Sequence, residues 1–278
     1  MENFKRVNKE RFEKEIESFK GMKKDEISKI EDYDEKRDQK LWDFYYAIVD
    51  NDIKAIKEFL KEGFSPNEEL PFPSENTVFF ESLPYISLEA LEILYNHGAQ
   101  VVEYDSDGKV FYTAFEELIA LDRPEIIEKL IDLGADWKVK NLGCSMLYYA
   151  SSSASSLKVF LEKTNLDVNE EAEDGTTPIF MAAIHNDRDA IKMLLEHGAL
   201  INKQDKNGFT ALHHIFKSDH LRDENKRIEA IRLLLEHGAD PNIKSNEGKT
   251  PLDYAIEKRF LEEAEVLQNA GAKLGKEI

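Results

Sequence analysis

The sequence predicts an all-α solenoid of stacked helix-turn-helix units with short β-turn tips, preceded by a helical N-terminal extension. Three observations carry this. Gly63, Gly98, Gly134, Gly198, Gly238 and Gly271 recur at separations of 35, 36, 64, 40 and 33 residues, the 64 being two units with one glycine missing. A second series, Gly108, Gly143, Gly175, Gly208 and Gly248, is spaced by 35, 32, 33 and 40. Residues 126–131, 190–195 and 230–235 carry isoleucines and leucines at helical spacing. A fixed period of this size marks a repeat architecture, in which neighbouring units bury the faces that no unit can bury alone.

The second glycine series is followed by a recurring tetrapeptide. It reads Ser145-Met146-Leu147-Tyr148, Thr177-Pro178-Ile179-Phe180, Thr210-Ala211-Leu212-His213 and Thr250-Pro251-Leu252-Asp253. These resemble the Thr-Pro-Leu-His motif of ankyrin repeats, whose period is ~33 residues. The resemblance is strong over 172–278, good over 106–171, carried by spacing over 41–105 and absent from 1–37. The Trp/Gly/Tyr pattern of tetratricopeptide repeats, which have a similar period, is not found. Aligning on the motif divides 41–278 into seven units, about 41–71, 72–105, 106–139, 140–171, 172–204, 205–244 and 245–278. Residues 1–40 form the extension.

Each unit is expected to be a turn, a short helix, a tight loop and a second helix. Pro178 and Pro251 fit the first helical turn, where proline loses no hydrogen bond. Thr177 and Thr250 are expected to cap those helices. The repeat-end glycines supply the left-handed residue that stops the second helix. The fourth unit has Thr164-Asn165 there, and Asn165 is expected to replace glycine. The sixth unit is seven residues longer than its neighbours, and the excess over 217–227 reads as an exposed polar loop. The third unit has a smaller excess around 121–124. Pro84 should shorten or displace the first helix of the second unit. The stretch 66–74, with three prolines, reads as an irregular connection.

The ends read as caps. Gln268 stands where Leu195 and Leu235 stand earlier, and Glu262, Glu263 and Glu265 give the last helix a polar outer face. Phe4, Phe12, Ile16 and Phe19, then Ile27, Ile30 and Tyr33, fall at roughly helical spacing on either side of Gly21. They predict one or two amphipathic helices that cap the first unit, with a mobile arm or a partner-binding helix as the alternatives.

Charge narrows the partners. The net charge is −19, yet residues 1–40 hold 12 basic and 12 acidic side chains. The other 238 residues hold 25 basic against 44 acidic, so the array carries the whole excess. Such a field disfavours nucleic acid and anionic membrane and accelerates encounter with a basic protein. No apolar run approaches the ~18 residues of a membrane span. The opening Met1-Glu2-Asn3-Phe4-Lys5-Arg6 is unlike a secretory signal. The one cysteine, Cys144, forms no internal disulfide and fits a reducing, cytoplasmic setting. A monomer is the default oligomeric state.

The histidines do not read as chemistry. His97, His197 and His237 each precede a repeat-end glycine, so stacking holds them apart. His213, His214 and His220 lack cysteine or acidic ligands at zinc spacing. Neither a phosphate-cradling Gly-rich motif nor a nucleophile elbow is found. Cys144 reads as a turn residue, and the pairs Glu170-Glu171 and Glu262-Glu263 as solvated faces. No catalytic residue, cofactor or metal is expected.

What remains is recognition. The resemblance implies binding through the turn tips and the exposed side of the first helices. Carried over position by position, it picks out Tyr46, Asp50, Glu81, Tyr85, Glu117, Tyr149, Glu173, Asp174, Ile184, His185, His214, Tyr254 and Glu257. It adds tips such as Asn141 and Leu142. The tyrosines suit binding hot spots. The expected function is a non-catalytic adaptor or scaffold for a protein partner. The alternative is an inhibitor, immunity-like protein that neutralises a basic enzyme or toxin.

Overall fold

The computed structural model describes residues 35–71, 76–217 and 224–278. The amphipathic segments expected over 4–33 lie outside these residues. The chain divides into two compact units, 1–100 and 101–278.

The first unit contains α1 (Glu35–Val49), α2 (Ile53–Lys61), α3 (Val78–Ser82) and α4 (Leu88–Asn96). Helix α1 packs on α2 and α3, and α2 on α4. Each later helix begins at a polar side chain that accepts a free amide of the first turn: Asp52 from Ala55, Thr77 from Phe80 and Ser87 from Ala90. Helix α3 is only five residues long and stops before Pro84. Phe44, Ile48, Ile56, Phe79, Leu83, Ile86, Leu91 and Leu94 are wholly buried. Each such side chain contributes roughly 2–3 kcal/mol of transfer free energy.

The second unit opens with a β-hairpin, β1 (Val102–Tyr104) and β2 (Val110–Thr113). Five helix pairs follow: α5 (Ala114–Ala120) and α6 (Pro124–Asp132), α7 (Met146–Ala150) and α8 (Ala154–Lys163), α9 (Pro178–Ile184) and α10 (Arg188–Glu196), α11 (Ala211–His214) and α12 (Glu224–Glu236), α13 (Pro251–Glu257) and α14 (Leu261–Asn269). The first helices pack in sequence as one row, α5 on α7, α7 on α9, α9 on α11 and α11 on α13. The second helices form another, α6 on α8, α8 on α10, α10 on α12 and α12 on α14. Phe115, Phe160, Phe180 and Phe216 fill the space between rows and are at most 1% exposed.

A ladder of carboxamides links successive pairs. Asn202 donates to the Gly238 carbonyl at 3.1 Å and accepts from the Asp240 amide at 2.8 Å. Asn169 does the same with Gly198 and Leu200, and Asn242 with Gly271 and Lys273. Within the first unit Asn67 bonds Gly98 and Gln100 alike. Each asparagine stands four residues after a repeat-end position, so one side chain pins the backbone of the following unit. The histidines before the glycines close their own helices. The Nδ1–H of His97, His197 and His237 donates to the carbonyl four residues back, at 2.7, 2.7 and 2.9 Å.

Five expectations are corrected. Thr177 makes no side-chain cap. At Thr250 the bond runs the other way, because Asp253 reaches back and accepts the Thr250 amide at 2.8 Å. Asn165 is not among the residues with positive φ. Helix α8 instead ends at an extended Thr164 (φ −127°), whose hydroxyl donates to the Phe160 carbonyl at 2.6 Å. The polar stretch after Lys217 is not all loop. Residues 224–227 already belong to α12, and Arg227 is buried. Its partner is Glu263, also buried, so Glu263 is no part of a solvated face.

Candidate recognition surface

The first helices are four to seven residues long in the second unit, and their caps aim them. Thr113 and Glu116 form a capping box before α5: the Thr113 hydroxyl accepts the Glu116 amide, and the Glu116 carboxylate accepts the Thr113 amide, each at 3.1 Å. The same carboxylate accepts from the Asn141 carboxamide, which ties α5 to the next turn.

In the second unit Glu173, Asp174, His185 and Glu257 are exposed, and Glu117, Tyr149, Ile184 and Tyr254 are half-buried. Glu117 accepts the Tyr112 hydroxyl, and Tyr149 donates to the Asn141 carbonyl at 3.0 Å. Glu257 pairs with Lys249 at 2.9 Å. Burial pushes the Asp174 carboxyl up, but the Thr176 hydroxyl and amide outweigh that and hold it below the usual range. It is therefore a fixed negative charge at neutral pH. In the first unit Asp50 is exposed, while Tyr46, Glu81 and Tyr85 are half-buried. Tyr46 packs its ring against Trp42 and Tyr45.

His214 is the exception. Its side chain is 1% exposed, so it is not on a partner-facing stripe. Its Nε2–H donates to Asp205 at 3.0 Å, and the ring stacks on Phe180 with centroids 4.7 Å apart. Asp205 in turn accepts the amides of Asn207 and Phe209, closing the turn. His213 beside it accepts the Thr210 amide at Nδ1 and donates from Nε2 to the Lys249 carbonyl at 3.2 Å. Burial lowers both imidazoles to about 4; at His214 the Lys217 charge adds to burial, while Asp205 pulls the other way without restoring the ordinary value. Both are neutral hydrogen-bonding struts at physiological pH.

The remaining chemistry is bland. Burial and the neighbouring Asp174 raise the Cys144 thiol, the opposite of what a nucleophile needs. Among the described residues no group of histidine, cysteine and carboxylate side chains is arranged to hold a metal. No helix there is long and apolar enough to cross a membrane.

Two exposed features at the tips stand out. The turn 141–144 is a two-residue connection, closed by amide-to-carbonyl bonds in both directions between Asn141 and Cys144. Its central residues Leu142 and Gly143 have φ of 49° and 77°. Such a turn favours Asn-Gly. Leucine in the left-handed region costs roughly 1–2 kcal/mol, and Leu142 recovers nothing by burial, being 83% exposed. In the hairpin Glu103 faces Tyr112 and Tyr104 faces Val110, which leaves Phe111 as the extra residue of a bulge. Phe111 is 68% exposed and Tyr104 60%. Sequence reasoning named Leu142 but missed Phe111 and Tyr104. Their signal was aromatic residues on both sides of the Ser106-Asp107-Gly108 turn.

Paired short helices stacked in two rows, with hairpin tips and asparagine rungs, define a helical-repeat solenoid. The comparisons narrow the class. A model of ankyrin repeats matches three times, over residues 114–205, 146–223 and 201–277. These matches cover more than half of the 278 residues, and the chain belongs to the ankyrin repeat family. Human transient receptor potential cation channel subfamily A member 1 is 25% identical over 189 residues, 60% of this chain and 16% of the channel. Kluyveromyces lactis transcription factor MBP1 is 24% identical over 191 residues, 59% of this chain and 25% of that protein. The chain thus spans a quarter or less of the length of these relatives. A crystal structure of an ankyrin repeat domain from Acinetobacter baumannii superposes with a TM-score of 0.55 at 24% identity, covering 70% of this chain and 97% of that one. Ankyrin repeats are in general protein–protein interaction modules, and a channel and a transcription factor sharing one array show that the scaffold does not choose the role.

Proposed function

We propose that this chain is a non-catalytic adaptor or scaffold that holds a basic protein partner. In the second unit the contacts are Glu117, Tyr149, Glu173, Asp174, Ile184, His185, Tyr254 and Glu257; in the first they are Tyr46, Asp50, Glu81 and Tyr85. His214 leaves the set because it is buried. The observation that carries the reading is the acidic excess, 44 against 25 over residues 41–278, part of it held as fixed carboxylates such as Asp174. A field of that sign speeds encounter with a basic protein and does little for a neutral one.

The test is stepwise salt elution of partners bound to the full chain, followed by Glu173→Gln/Asp174→Asn on the same column. A basic protein bound one-to-one, released by salt and weakened by the double variant, supports the reading. A partner that withstands high salt and ignores the variant overturns it. The same excess supports a second reading, an inhibitor of a basic enzyme or toxin. That reading requires loss of the partner's activity on binding, which an adaptor does not produce.

A further inference from the structure

We infer that Phe111 and Leu142 form an apolar docking knob on the tips of the second unit, built to seat an apolar side chain of a partner segment flanked by lysine or arginine. The inference rests on the protein-binding reading above and specifies the chemistry of the partner.

Three features converge there. The bulge in β2 inserts Phe111 out of register with β1, and a bulge re-aims the side chain it adds. The next turn holds Leu142 left-handed and in solvent, where asparagine or glycine would fold more readily. Folding rewards neither placement. The two tips are adjacent, because the Asn141 carboxamide lies 3.4 Å from the Phe111 carbonyl.

The third feature is the charge beside the knob. The Glu173 side chain lies along the Leu142-Gly143 turn, so closely that a Cβ on Gly143 would sit 2.7 Å from its Cγ. Glu173 is exposed and has no ion-pair partner among the described residues. Asp174 and Glu116 add to its field, since both act together with Glu173 on the Cys144 thiol of the same turn, while Lys140 is engaged by Glu170 and Lys203 by Glu171. An apolar centre with a carboxylate laid against it complements an apolar anchor between basic residues. A second copy of the chain is a poor occupant, because at net charge −19 it would bring more of the same sign.

The test is panning of the full chain against a phage-displayed library of random dodecapeptides, with the enriched peptides re-measured on variants. The expected consensus is a large apolar residue between lysines or arginines. Leu142→Asn should weaken those peptides roughly tenfold or more, as loss of a hot spot does. Glu173→Gln should weaken them less and flatten the salt dependence. Leu142→Asn suits the turn better than the native residue, so lost binding is not lost folding; Phe111→Ser is the second variant. Peptides that bind the wild type but are indifferent to Leu142→Asn and Phe111→Ser overturn the knob and leave the protein-binding reading standing. Enrichment of acidic peptides overturns the charge assignment. Failure to enrich any peptide counts against both.

Discussion

Arg227 of α12 and Glu263 of α14 form an ion pair whose side chains are 5% and 0% exposed, across 36 residues of sequence. The guanidinium also lies over the Phe260 ring, 4.1 Å from its centroid. Removing Glu263 takes from the buried guanidinium the carboxylate it faces, at a desolvation cost already incurred. Glu263→Ala is therefore expected to cost about 3–5 kcal/mol. The paired change Arg227→Met/Glu263→Leu should recover most of that, because two apolar side chains carry no charge into the interior. Urea unfolding of the wild type and the two variants measures both; equal losses in the single and paired variants would contradict the pairing.

The asparagine rungs make a second, smaller prediction. Asn202→Ala loses a bond to Gly238 and one from Asp240, both near solvent. The expected loss is about 1–2 kcal/mol, two modest hydrogen bonds. Asn202→Asp keeps the acceptor and should lose about half. Amide exchange at Asp240 should quicken in the alanine variant and stay near native in the aspartate one.

The buried imidazoles set the acid limit. Both sit at about 4 in the folded chain against an ordinary 6.5. The unfolded chain therefore binds more protons between these values, and stability rises with pH there. The contribution is fully present above about pH 6.5 and is lost as pH falls toward 4. With two such groups the slope approaches ~2.7 kcal/mol per pH unit. His213→Gln should roughly halve the histidine part of that slope. Denaturation midpoints at pH 7.5, 6, 5 and 4.5 follow it, and an unchanged slope would show that His213 is not a buried neutral group.

Leu142 offers a prediction of opposite sign. Leu142→Asn is expected to stabilise the fold by about 1 kcal/mol, because asparagine tolerates the left-handed region and leucine does not. A small rise in Tm would register it. A fall would mean that the exposed leucine supports the fold after all.

Much of this architecture was legible in the residues. The glycine period, the tetrapeptides at 177, 210 and 250, and the apolar faces of 190–195 and 230–235 are local patterns, and the helices they predict are present. The short α3 followed from Pro84. At Thr250 the hydroxyl donates instead to the Asp253 carboxylate and the Lys273 carbonyl, and the Asp253 amide goes to the Thr250 carbonyl, a choice that depends on side-chain geometry. Asn165 failed because Thr164 can end α8 in an extended conformation. On the candidate surface the acidic tips were legible as charge, whereas Phe111 escaped because a bulge has no periodic signature.

The sequence by itself determined the period, the helix pairs and the sign of the field, because those depend on spacing within one unit and on summed charge. Only the tertiary structure decided which polar side chains are interior. His213, His214, Arg227 and Glu263 look hydrophilic in a linear reading. Asp205, the Lys249 carbonyl and the Arg227–Glu263 pairing make their burial tolerable, and these partners come from other turns and from units up to 36 residues away. It decided likewise that Leu142 is strained and exposed, since a hairpin's backbone angles follow from how its ends are held.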